Sequence, residues 1–226
     1  MQFEKTAVWV RWMGVILCTL TVLGFTGVMA ENVFPYFRFE YAAGFLGTKT
    51  DVVLHKVPFQ WAFYTHISSS LVVLLLGPWQ FFPAILRRFP RFHRISGYLY
   101  VGLILGIAAP SGWVLGCYAN GGLPAKVGFV LQSTVWWVVT LLALLEIKQQ
   151  RYLRHTQMMI RSFAVTLAAM SLRTESYAMY YFLGTKPIET YITVTWLSWV
   201  GNLLIAEVLI YAGLAGRLIK KAHYRK

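Results

Sequence analysis

Acidic residues are scarce in this sequence. Eight Asp and Glu stand against 21 Lys and Arg in 226 residues, and charged side chains of both signs make up only 13%. A soluble domain carries about 25%, so an ordinary water-facing globule is excluded. Cysteine is scarcer still. Cys18 and Cys117 lie within or at the end of apolar runs and show no Cys-x-x-Cys spacing, so they read as small buried apolar residues. His-x-Glu spacing is also missing, no hydrolytic triad assembles, and no internal repeat, low-complexity segment or separate soluble domain is visible. The net charge of +13 would point to nucleic acid in a soluble chain. Here the charge gathers in the connections on one side, which reads as contact with lipid headgroups and implies no nucleic-acid partner.

What the chain has in plenty is apolar length: 58% of it is hydrophobic. A bilayer's hydrocarbon core needs about 20 apolar residues per helix. Runs of that order cover Trp12 to Ala30, Trp61 to Leu86, Ile95 to Cys117, Val127 to Leu145, Met158 to Leu183 and Tyr191 to Leu214. They predict an all-α fold: a polytopic integral membrane helical bundle of about six transmembrane helices, forming one domain over residues 1–226. Val28-Met29-Ala30 resembles a signal-peptidase site, but the basic start and near-full span favour an uncleaved first helix. Pro78 is expected to kink the second span and Pro110-Ser111-Gly112 to interrupt the third. Residues 31–60, with Phe34, Tyr36, Phe37, Phe39, Tyr41 and Phe45, read as an extracytoplasmic loop lying along the membrane interface, where aromatic rings are favoured. Residues 217–226 form a basic cytoplasmic tail.

Orientation follows from counting charges. On one side fall Lys5 and Arg11, then Arg87, Arg88, Arg91 and Arg94, then Lys148, Arg151, Arg154 and Arg161, and the five basic residues of the tail. The other side has Arg38, Lys49, Lys56, Lys126 and Lys186, with Arg173 near it. Basic residues favour the cytoplasmic face, so both termini are expected there, in a multi-pass protein of the cell's inner (cytoplasmic) membrane.

Polar residues within the spans fall into stripes at about 100° per residue. His66, Ser69, Ser70, Gly77 and Gln80 share a face of the second span. His93, Gly97, Tyr100 and Ser111 share one in the third, and His155, Ser162, Thr166, Ala169, Arg173 and Tyr177 align in the fifth. Glu207 in the sixth lies on the side of Thr193, Trp196 and Tyr211. Ionisable groups avoid lipid, so such stripes face a bundle interior; they would equally serve simply to hold helices together. Arg173 is expected to point inward and meet Glu207, Glu175 or a bound anion.

His93 and His155 are the sharpest candidates. Each sits at the cytoplasmic start of an outward-running span, at similar depth, beside arginines: Arg91 and Arg94, Arg154 and Arg161. A helix start offers free N–H groups and the positive end of a dipole. That field attracts anions and favours neutral imidazole, the form that ligates metals. His66 lies roughly 30 Å away along about twenty residues of helix, so it cannot share one ion with them and belongs to a separate site, in which His55 is a further candidate.

At these residues the chain resembles a bacterial membrane family catalogued as domain of unknown function 2306. The resemblance runs from His66 through Gly77-Pro78-Trp79-Gln80-Phe81 and His93-Arg94-Ile95-Ser96-Gly97-Tyr98-Leu99-Tyr100. It continues through Gly121-Gly122, His155-Thr156-Gln157-Met158-Met159-Ile160-Arg161 and Leu172-Arg173. Tyr98 stands where the family has arginine, and Gln157 where it has tryptophan. The resemblance implies a multi-spanning membrane fold and no particular activity. A looser similarity is to helical membrane cytochromes b, whose diheme members need four paired histidines that this chain lacks.

Three functions are consistent with this pattern. The first is electron transfer linked to haem b or quinone. His93 and His155 would be metal ligands, and Arg91, Arg94, Arg154 and Arg161 would be available to haem carboxylates. Tyr100, Gln80 and Arg173 are then quinone-contact or supporting candidates, and His66 a separate one. The second is a non-catalytic accessory subunit of a larger membrane complex. The third is small-molecule transport, for which Pro/Gly-interrupted helices speak and the lack of a repeat counts against. The expected partners are the lipid bilayer and either other complex subunits or a redox partner.

Overall fold

The computed structural model describes residues 2–38 and 44–223, with backbone alone at 2–16, 18, 222 and 223. Phe39 and Tyr41 of the aromatic loop and Arg225 and Lys226 of the tail therefore lie outside the described residues, as do the side chains of Lys5, Arg11 and Cys18. The described chain is helical throughout, without a strand. In order come α1 (Gln2–Val33), short turns at Phe34–Arg38 and Leu46–Thr48, α2 (Asp51–Leu54), α3 (Val57–Leu76), a turn at Pro78–Phe81, α4 (Pro83–Arg88) and α5 (Pro90–Leu103). After a π turn at Ile104–Ala108 follow α6 (Ala109–Cys117), α7 (Gly122–Lys148), α8 (Tyr152–Thr166), α9 (Ala168–Leu183), α10 (Pro187–Tyr211) and α11 (Leu214–His223).

Among the described residues four helical stretches are long and apolar enough to cross a membrane: Val57–Phe81, Pro90–Cys117, Gly122–Lys148 and Pro187–Tyr211. The stretch expected as a fifth span is instead two helices, α8 and α9, that meet at Leu167. Prolines set several starts: Pro58, Pro83, Pro90 and Pro187 all stand in the first turn of a helix, where a missing N–H costs nothing. Pro78 acts the same way. The regular α-helix ends at Leu76, and Pro78 opens the tighter turn that carries the same stretch on to Phe81.

The two mid-bundle interruptions are each stabilised from a neighbouring helix. In the π turn the Ala109 N–H bonds to the Ile104 carbonyl, and Pro110 has no N–H to offer the Leu105 carbonyl five residues before it. The Trp137 indole of α7 donates to that carbonyl instead, at 3.0 Å. At the α8–α9 junction the Asn202 amide of α10 donates to the Ala164 carbonyl at 3.0 Å and accepts from the Ser171 hydroxyl at 2.9 Å. Irregular backbone at membrane depth is tolerated where buried groups satisfy it in this way.

The core lies between these breaks. Tyr100 and Ile104 are fully buried against Val73, Trp136 and Val165. Gly77 is required there, because a Cβ would run into the Phe163 ring and approach Tyr100. At one end of the bundle Leu46, Leu54, Phe59 and Phe63 form a second cluster under Tyr36 and Tyr118. The Tyr36 hydroxyl accepts from the Phe45 N–H at 2.8 Å, and Lys49 donates to the Tyr118 carbonyl at 2.7 Å and to Asn120 at 3.0 Å. Burial, with Lys126 nearby, pushes the Lys49 ammonium down to about 8. This aromatic cap packs on the start of α3 and the end of α6. The α4–α5 turn, the α7–α8 link and α11 all lie at the other, basic end.

Candidate functional site

The basic end holds a cavity of about 590 Å³. Its polar lining comes from His93, Arg94, Gln80 and His155, and its walls from Leu144 and Ile147 of α7 and Leu218 and Ile219 of α11. His93 and His155 are the fourth residues of α5 and α8. Both rings line this one cavity.

The two rings are presented differently. His155 Nδ1 lies 2.8 Å from the Ala143 carbonyl. A carbonyl only accepts, so Nδ1 carries the hydrogen, and a neutral ring then offers its Nε2 lone pair. That carbonyl plays the part of the outer partner that orients a ligating histidine. His93 Nδ1 is buried without a hydrogen-bond partner. Beside it Gln80 donates to the Ser96 hydroxyl at 2.8 Å, and its Oε1 lies 3.0 Å from where a Cβ on Gly97 would stand. Glycine at 97 therefore lets the Gln80 amide rest against α5.

The arginines divide. Arg94 lines the cavity. Arg91 and Arg154 are exposed and do not. Arg161 is committed elsewhere: its Nε and Nη2 donate to the two oxygens of Glu207 at 2.6 and 2.8 Å. Glu207 is therefore the partner of Arg161 and not of Arg173. The pair ties α8 to α10 with side chains 21% and 50% exposed, so its net worth is about 1 kcal/mol at most. Glu207→Gln is expected to lower thermal stability by that amount, and the double exchange Arg161→Glu, Glu207→Arg to restore it; a melting series in detergent checks both.

Above the cavity lies a closed hydroxyl network, which also lines the floor of a second cavity. Tyr100 Oη is 2.9 Å from Thr166 Oγ1 and 3.2 Å from Ser162 Oγ. Thr140 Oγ1 is 2.7 Å from Ser162 Oγ, and the Trp136 indole donates to Thr166 at 3.1 Å. Thr140 and Trp136 of α7 were not singled out in the sequence. Their span carries no ionisable residue in its interior, and the fainter signal that could have marked the face is the helical spacing of Ser133, Trp136 and Thr140.

The second cavity, about 360 Å³, lies toward the aromatic cap and includes His66, Ser70, Gln132, Trp136, Thr166 and Arg173. His66 and the histidine pair thus belong to different cavities. His55 lies on neither: just after α2, its Nδ1 is 2.8 Å from the carbonyl of Asp51, the first residue of that helix. Arg173 donates to the Ala169 carbonyl at 2.8 Å, and the ion pairs among the described residues are Arg151–Glu146 and Arg161–Glu207. No group of three or more His, Cys, Asp or Glu suited to a metal ion occurs among the described residues; the histidine pair is a set of two.

A family model described as a predicted membrane protein (DUF2306) matches residues 63–210, which include both cavities' histidines. No curated protein and no solved structure matches the chain.

Proposed function

This chain belongs to the DUF2306 family of predicted membrane proteins, and on that premise we propose that it is an electron-transfer protein of the inner membrane with haem b in the cavity at the basic end. One observation carries the reading: His93 and His155, at equivalent positions on two helices, line one cavity with Arg94 beside them. The residues fit the group. His155 is held with Nε2 available, a buried ring nitrogen of His93 has no protein partner, and Arg94 offers a carboxylate contact. Haem iron supplies one-electron redox chemistry; the chain supplies ligands, orientation and exclusion of water by Leu144, Leu218 and Ile219. Protein purified from haem-replete cells is expected to show a Soret band, and its absence would overturn the reading.

The arrangement in the membrane is proposed with it: six spans, counting α1 and the α8–α9 pair, with both termini and all the arginine-rich connections cytoplasmic. Reporter fusions in the Arg87–Arg94 turn, the Lys148–Arg154 link and the tail are expected to report one face, and a fusion at Asn120–Pro124 the other. Reporters placing the two basic connections on opposite faces would refute it.

A second reading, small-molecule transport, is favoured by the two interrupted helical stretches, α5–α6 and α8–α9, that flank one polar network between two cavities. A haem-free preparation would favour it.

A further inference from the structure

The cavity beneath the aromatic cap has a lining that the haem reading does not use. His66 Nδ1 lies 2.8 Å from the Ala108 carbonyl, which can only accept. In the neutral ring Nε2 is then an acceptor, and it has no protein partner among the described residues. Gln132 Oε1 and Ser70 Oγ are buried without a partner among the described residues. They come from α7 and α3, on the same cavity. A buried polar atom without a partner is costly, and Gln132 Oε1, like the His66 Nε2 lone pair, can only accept a hydrogen bond. Arg173, which also lines the cavity, brings a cation with no acidic partner among the described residues. Its walls include the rings of Phe45, Phe63, Phe129 and Trp136.

That pattern selects among ligand classes. A metal ion would find one imidazole and neither carboxylate nor thiolate. A carboxylate or phosphate suits Arg173 and Ser70 but turns its own lone pairs toward His66 Nε2 and Gln132 Oε1. A flat aromatic diol provides what is missing: two O–H donors for the two acceptors, and faces that pack on the rings. The volume of about 360 Å³ is ample for one such ring. The cavity also borders Met29 and Val33 of α1, apolar surface along which a hydrocarbon tail can lie.

We infer that this cavity binds the dihydroxy ring of a hydroquinone, whose hydroxyls donate to His66 Nε2 and Gln132 Oε1. The oxidised quinone has only acceptor oxygens and gives nothing to His66 Nε2 or Gln132 Oε1, so it binds more weakly. The inference deepens the electron-transfer reading by naming its lipid-soluble partner, while binding itself does not require haem.

The test uses the full chain in lipid nanodiscs, titrated anaerobically with a short-tailed benzoquinol and separately with its quinone. Calorimetry and quenching of tryptophan fluorescence read the binding, and empty nanodiscs give the partitioning background. Saturable quinol binding is expected, about tenfold tighter than that of the quinone, the equivalent of one hydrogen bond. Gln132→Leu and His66→Phe, which each remove one of the two acceptors, are each expected to weaken the quinol by up to about tenfold. His66→Phe serves alone if Gln132→Leu fails to fold by gel filtration. Uptake no greater than that of empty nanodiscs, equal affinity for both redox forms, or indifference to the folded variants would overturn the inference. A Soret band without saturable quinol binding sinks this inference alone; saturable binding without a Soret band sinks the haem reading alone.

Discussion

His155→Ala is expected to strip the protein of nearly all its haem, with His93→Ala close behind and the double variant haem-free. Changing only the partner that orients a metal-ligating histidine costs about 10- to 100-fold in affinity, so removing the ligand itself should cost at least about a hundredfold. The two single variants should differ. His155 is fixed by the Ala143 carbonyl and enters ligation already aimed, whereas His93 has no bond at its buried Nδ1. Losing the pre-aimed ring should therefore do more damage. Haem content per protein, with helical content measured on the same samples, checks this. Haem that persists in the folded double variant would show that the ligands lie elsewhere.

Tyr100→Ala is expected to be the most destabilising single change in the bundle. The ring is completely buried among Val73, Ile104 and Trp136, and its hydroxyl joins α5 to α8. In a bilayer the exposed alternative is itself apolar, so the transfer part of the usual loss shrinks while the cavity and lost packing remain. About 3 kcal/mol is a reasonable expectation for alanine. Tyr100→Phe keeps the volume and removes one hydroxyl from a network in which Ser162 still meets Thr140 and Thr166 still meets Trp136. Its cost should be about 1 kcal/mol. Unfolding of the two variants in the same detergent separates packing from hydrogen bonding. Equal losses for Phe and Ala would mean that the hydroxyl network, not the ring, carries the stability.

The helical, membrane-embedded character of the chain was legible because apolar length is a direct record of bilayer thickness. The placement of His93 and His155 was legible for a related reason. Basic turns mark the ends of spans, and residues at matched distances from matched ends share a depth. What depends on rotation of one helix against another was not legible. Arg161 and Glu207 lie 46 positions apart, and nothing in either helix says which face meets the other; Arg173 was the stronger sequence partner for Glu207 and does not reach it. The break at Leu167 has no Pro or Gly at the site, and its stabilising group, Asn202, is on another helix. α11 read only as a basic tail, yet Leu218 and Ile219 close the wall of the histidine cavity. The pattern of Leu214, Ala215, Leu218 and Ile219 was there to be read as an amphipathic helix, and the density of lysine and arginine obscured it.

Paramagnetic resonance of the oxidised protein, frozen as purified in lipid, tests the central claim most directly. Two imidazoles on one ferric haem give a low-spin signal, and a single imidazole gives a high-spin one. The account predicts a low-spin signal in the unaltered chain that becomes high-spin or vanishes in both His93→Ala and His155→Ala. A signal that is high-spin from the outset, or low-spin and unchanged in either variant, would contradict it.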